Sequence, residues 1–122
     1  MAIYNREDAR TALPQLEKQL NKATTWKKAN ISLHQCTAGS DNCCYQIGSL
    51  VFLAININIS TATNGYAYLT GLPKPLQRIG GCAVSNTSTL RFRISTDGEL
   101  ISENAPSATG WHNGFVAYIA KE

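Results

Sequence analysis

From Val51 to Ser60 the chain alternates between two kinds of position. Val51, Leu53, Ile55, Ile57 and Ile59 form one row, and Asn56, Asn58 and Ser60 fall between them. Side chains alternate faces along a strand, so this period of two predicts a long β-strand with one apolar side within Tyr45–Ser60, YQIGSLVFLAININIS. A helix does not suit the stretch. β-branched residues crowd it, and the two asparagines interrupt any 3.6-residue stripe.

The same period runs through most of the chain after residue 26. Ile31 and Leu33 alternate with Ser32 and His34, a first strand, and Cys44–Ile47 reads as a second. Between them TAGSDN, residues 37–42, is turn chemistry. Gly48-Ser49 marks a tight turn or bulge before the long strand. TATNG, residues 61–65, predicts a hairpin turn on Asn64-Gly65, with Tyr66–Leu72 returning as a strand. Pro73 and Pro75 forbid ladder hydrogen bonds and predict an extended crossing. Gln77–Ser85 reads as a strand bent at Gly80-Gly81. Leu90, Phe92 and Ile94 alternate with Arg91 and Arg93, and Asp97-Gly98 predicts a second hairpin. NAPSATGWHN, residues 104–113, reads as a loop, and Phe115–Ala120 as a last strand. Short strands at even spacing predict a mainly β fold, an antiparallel, jelly-roll-like sandwich of about eight strands.

The first 25 residues follow a different rule. Ala9, Leu13, Leu16, Leu20 and Ala23 are spaced four, three, four, three, a heptad-type stripe on a helix over residues 5–23. Asn5 with Asp8 forms a capping-box-like pair, and Lys18 and Lys22 near the end suit the helix dipole. Pro14 predicts a kink or a fresh helix start. So short a helix is marginal alone in water, so its leucines need a surface. Copies of the same chain supply one, which makes Leu13, Leu16 and Leu20 candidate oligomerisation residues. The division is a helical stem over 1–25 and a β head over 26–122. Trp26, at the junction, is expected to plug the base of the head.

Composition narrows the function classes. With 43% hydrophobic and 16% charged residues the chain is not of the disordered type. The +3 formal charge is spread along the sequence and makes no dense patch for nucleic acid. No apolar run reaches the roughly 18 residues of a membrane span. MAIYNREDAR lacks the apolar centre of a secretory signal, so the expectation is a product made in a cytoplasm. Cys36, Cys43, Cys44 and Cys82 are then free thiols, and their spacing matches no zinc pattern. No P-loop, nucleophile elbow or zinc-protease motif is present, and no cofactor is implied.

Several features carry a resemblance. Tyr45-Gln46-Ile47-Gly48 opens the long alternating strand, and a glycine precedes a strand that ends in Leu72-Pro73 with a second proline at 75. Ser95-Thr96-Asp97-Gly98-Glu99-Leu100 and a closing aromatic strand follow. Over residues 26–122 this order resembles the head domains of trimeric tail fibre and baseplate receptor-binding proteins of tailed bacteriophages, chiefly those of Gram-positive hosts. The Cys43-Cys44 pair and the very short stem depart from that pattern. The resemblance implies a homotrimer with its stem helix on the three-fold axis. It also implies a head that binds a host cell-wall saccharide, other tail or baseplate proteins as partners, and a place at the virion tail tip.

A saccharide offers an apolar ring face and many hydroxyls, so its site wants an exposed aromatic beside planar polar groups. Trp111, His112 and Asn113, between Gly110 and Gly114, have that content. Loops at the end of a rigid sandwich commonly carry binding. Arg91, Arg93 and Asp97 can add charge-assisted hydrogen bonds to a hydroxyl or phosphate. Asn56 and Asn58 are read instead as facing a neighbouring subunit or a water-filled axis. Two other functions compete. One is a purely structural baseplate or virion component. The other is a small glycan-processing enzyme using the acids Asp97, Glu99 and Glu103. The primary reading is non-enzymatic adhesion.

Overall fold

The computed structural model describes residues 13–15 and 26–121. Residues 13–15 are helical, with Leu13 exposed. The rest of the expected stem, including Leu16 and Leu20, lies outside the described residues.

Ten strands follow in chain order: β1 Lys27–Lys28, β2 Ser32–Leu33, β3 Cys36–Ala38, β4 Cys43–Ile47, β5 Leu50–Ile59, β6 Ala67–Thr70, β7 Ile79–Val84, β8 Thr89–Ile94, β9 Leu100–Ser102 and β10 Gly110–Ile119. They form one antiparallel sheet in the order β1-β4-β5-β10-β7-β8-β9-β6-β2, with β3 pairing the far end of β5. β1 and β2 stand at opposite ends of this order, yet Ser32 is only four residues on from Lys28. Four residues reach at most about 14 Å. The sheet therefore curls until its two ends meet, and the core fills the inside of the curl.

The row predicted from alternation is that core. Val51, Leu53, Ile55, Ile57 and Ile59 are buried, together with Leu90, Phe92, Ile94 and Leu100 from β8 and β9. Each such side chain contributes about 1.5–3 kcal/mol relative to exposure. β5 and β10 pair over ten residues, from Leu50 opposite Ile119 to Ile59 opposite Gly110. They form the central, longest ladder of the sheet. Gly114 sits on it where β7 crosses. A Cβ there would run into the Cys82 carbonyl, so only glycine lets β7 and β10 approach.

The turns explain where the sequence reading and the fold differ. Gly48-Ser49 makes a tight turn, and Asp97-Gly98 makes the β8–β9 hairpin, closed by Gly98 N–H donating to Ser95 O at 3.0 Å. TATNG does turn the chain, but β5 and β6 do not pair. Gly65 instead donates to Ser102 O, and β6 goes to β9 and β2. Within 37–42 only the second half turns, because Cys36–Ala38 pairs with β5 as β3. Gly80-Gly81 is not a bend. Both lie within β7, where a Cβ on Gly81 would strike the Phe92 ring. The Pro73–Pro75 crossing runs beside the end of the chain: Pro75 bridges Ala120, and the Tyr118 hydroxyl donates to Pro73 O at 2.7 Å. Trp26 is no plug. It is half exposed and rests on Phe52 and Tyr45 on the outer face of the sheet.

Candidate functional site: an amide and tryptophan patch on the outer sheet face

The expected loop at 104–113 ends early. From Gly110 onward the chain is strand β10, so Trp111, His112 and Asn113 alternate faces. Trp111 and Asn113 point outward and are exposed, whereas His112 points into the core and is fully buried. His112 is therefore not a ligand contact. Its Nδ1 lies 3.0 Å from Gly110 O and its Nε2 3.0 Å from Ser88 Oγ. A carbonyl only accepts, so Nδ1 carries the hydrogen and, in the neutral ring, Nε2 accepts from the Ser88 hydroxyl. Ser88 Oγ in turn accepts from Ala108 N–H at 3.2 Å, and Ser107 Oγ donates to Thr87 O at 3.2 Å. This network fastens the 103–109 segment to the β7–β8 turn, beneath Trp111.

The register of β5 and β10 decides what surrounds the tryptophan. Trp111 stands opposite Asn58, and Asn113 stands opposite Asn56. Directly opposed side chains on one face of a sheet have Cβ atoms about 4.5–5.5 Å apart. The two asparagines read as subunit contacts thus join the two residues read as saccharide contacts. On the far side of β5, Thr37 of β3 opposes Asn58; on the far side of β10, Val84 of β7 opposes Asn113.

The turn at 39–42 holds Asn56 in place. Gly39 N–H donates to Asn56 O at 2.7 Å, and Asn56 N–H donates to Asn42 Oδ1 at 2.9 Å. The Asn42 side chain here continues the ladder between β3 and β4. A Cβ on Gly39 would collide with the Asn56 amide and stand 3.0 Å from Cζ3 of Trp111, so the indole and the amide both lie against this glycine. Gln35 keeps β3 in register. Its backbone is left-handed, with φ 53°, and its carbonyl accepts from both the N–H and the hydroxyl of Ser60, at 2.9 and 2.8 Å.

The fold has a counterpart among known structures. The receptor binding protein gp15 of Listeria phage PSA superposes with a TM-score of 0.63 at 12% sequence identity, over 99% of this chain and 83% of that one. The two share a fold. No family model matches the sequence, and no curated protein matches it. The mainly β, antiparallel architecture is as expected, but it is one curled sheet of ten described strands where a jelly-roll-like sandwich of about eight was expected.

Arg91 and Arg93 lie on the outward face of β8, two strands from β10. Arg91 is exposed, and Arg93 makes a long ion pair of 3.9 Å with Glu103. At that exposure the pair contributes at most about 1 kcal/mol. Asp97 belongs to the hairpin at the other end of β8, beyond Ile94, while Trp111 and Asn113 lie level with Thr89 through Val84. The structure does not bring Asp97 to the tryptophan.

The patch itself is uncharged, and its chemistry is that of hydrogen-bonding amides around an apolar ring. Among the described residues no group of three or more His, Cys, Asp or Glu side chains comes together as metal ligands. No described helix is long and apolar enough to cross a membrane. The four cysteines are free. Cys44 is buried beside Cys43, and burial, with a smaller contribution from that neighbour, pushes its thiol up to about 11. A separate concavity of about 250 Å³ opens between residues 28–33 and 38–44, with Lys28, Asn30 and Asn42 among its polar lining. None of the residues nominated from the sequence lines it.

Proposed function

We propose that the chain is a non-enzymatic adhesion protein of a phage tail tip, which recognises a host cell-wall saccharide as a homotrimer. The observation that carries this reading is the cross-strand cluster of Trp111, Asn113, Asn56 and Asn58 on a rigid central ladder. A half-exposed indole offers a stacking face to a pyranose ring, and three carboxamides offer paired donors and acceptors to its hydroxyls. Because β5 and β10 are the longest strands and carry the core on their inner faces, little side-chain ordering is left to be lost on binding. The shared fold with a phage receptor binding protein supports the same reading. On it the protein is a virion component, assembled in the bacterial cytoplasm with other tail or baseplate proteins.

The test is binding to purified wall polysaccharides of candidate hosts, measured by calorimetry. The wild-type chain is expected to bind in the millimolar to micromolar range, about −4 to −8 kcal/mol. Trp111→Ala is expected to weaken binding at least about tenfold with an unchanged melting curve, as for an exposed anchor residue. Equal binding by the variant would refute the site.

A purely structural virion role is favoured by one observation, the apolar half of the same sheet face around Phe115. Absence of saccharide binding across a broad host panel would select that role.

A further inference from the structure

The concavity of about 250 Å³ lies where the curled sheet closes on itself. β1 follows β4 only as far as Ala29, whose N–H donates to Cys44 O at 2.9 Å. The chain then leaves β4 to pair with β6 from Ser32 onward, and the concavity opens beside Asn42 and Cys43 at that point. Its floor is apolar: Ala29, Ile31 and Leu33 pack against the core, and Cys44 belongs to it. Its rim is a set of donors. Lys28, opposite Tyr45 on the outer side, brings an ammonium, and Asn30 brings an exposed carboxamide. Asn42 brings a second carboxamide whose orientation is already set. Its Oδ1 accepts from Asn56 N–H at 2.9 Å, which leaves the Nδ2 hydrogens to the concavity. None of the described residues that line it is acidic.

We infer that this concavity is a second carbohydrate subsite, which takes a single hexose unit bearing a negative charge. Its volume corresponds to about eight waters. That is below the roughly 300 Å³ at which sites for drug-sized ligands begin, and it is the scale of one sugar ring. The apolar floor suits the C–H face of a pyranose, and a rim of donors with one cation suits a carboxylate or phosphate carried on it. The inference rests on the saccharide reading above for its class of ligand, but it shares no residue with the Trp111 patch. What joins the two is the 39–42 turn. Ala38 and Asn42 line the concavity, while Gly39 between them lies against the Trp111 ring and the Asn56 amide. A polymer stacked on Trp111 has only this turn to cross to reach the concavity.

The experiment titrates the isotope-labelled full chain with sodium glucuronate, glucose 6-phosphate, glucose and acetate, and follows amide resonances by NMR. At least one of the two anionic sugars is expected to move the amides of residues 28–31 and 42–43 with a midpoint of about 1–10 mM. Whichever binds tighter tells carboxylate from phosphate as the source of the charge. Glucose is expected to bind there at least about threefold more weakly. Lys28→Gln is expected to weaken the anionic sugars about threefold to fivefold at an unchanged melting temperature, because Lys28 is exposed. Trp111→Ala is expected to leave these shifts as they are. Glucose binding as tightly as the anionic sugars overturns the inference, since the charge is then not read. Acetate binding as tightly as glucuronate overturns it too, since the ring then contributes nothing. So does an unchanged midpoint in Lys28→Gln, or the absence of movement at 28–31 and 42–43 with every sugar. If those amides stay silent while Trp111→Ala still weakens wall-polysaccharide binding, this subsite fails and the patch stands; the converse result removes the patch alone.

Discussion

Trp111 stands directly opposite Asn58 across the β5–β10 ladder, while His112, the next residue, turns inward to Ser88. One peptide step thus separates a surface residue from a core one. The pair shows how the same short stretch builds both the outer patch and the clasp that keeps it rigid.

Gly39 gives a direct test of the patch. Its missing side chain leaves room for the Trp111 ring and the Asn56 amide. Gly39→Ala is expected to displace both and to weaken saccharide binding by about 1 kcal/mol, roughly fivefold. Stability should change little, because the groups that move are the ends of surface side chains, where substitutions stay within about 0.5 kcal/mol. Calorimetry on the variant checks this, and an unchanged affinity would mean that the ligand touches neither group.

The inward residue predicts the opposite phenotype. His112→Ala removes a fully buried ring, takes the side-chain donor from the Gly110 carbonyl and leaves the Ser88 hydroxyl with Ala108 alone. The expected cost is about 2–4 kcal/mol in urea unfolding. Ser88→Ala should cost less, about 1–2 kcal/mol. The double variant should fall short of the sum, because the two single changes break the same hydrogen bond. Strict additivity would argue against that bond.

Burial also sets an alkaline limit. The Cys44 thiol ordinarily releases its proton near 9.0 but is held up to about 11 in the fold. The Tyr118 hydroxyl, ordinarily near 10.0, is raised further still, by burial first and by Cys44 second. Between the unfolded and folded values the unfolded chain has lost a proton that the folded chain keeps. Stability therefore falls as pH rises, from about 9 to about 11 for Cys44 and from about 10 upward for Tyr118. Below about pH 8 neither group should contribute any slope. Denaturant titrations in steps from neutral to pH 11 would follow this loss, and Cys44→Ala should flatten its lower part. A level profile between pH 8 and 10.5 in the wild type would contradict the assignment.

Much of the sheet was legible residue by residue. The five-residue apolar row of β5, the outward Arg91 and Arg93, the Asp97-Gly98 hairpin and the proline crossing all follow from rules that act within a few residues. The misread pieces share one cause. The TATNG turn looks like a hairpin because Asn-Gly favours tight turns, yet which strands pair depends on how the whole sheet curls. Residues 110–113 look like a loop because Gly110 and Asn113 are poor strand formers, yet β5 pairs with all ten residues of β10 and draws that stretch into the ladder. The same holds for Cys36–Ala38.

The sequence by itself determined the strand period, which side of β5 is oily and the positions of the tight turns. Only the tertiary structure decided that Asn56 and Asn58 stand beside Trp111 and Asn113, that His112 is a core residue, and that Asp97 is elsewhere. The reason is the separation along the chain. Faces alternate every residue and are written locally, but register between strands more than fifty residues apart is fixed only when the entire apolar row of one strand finds its place in a shared core, where a slip of one residue would turn every side chain to the wrong side.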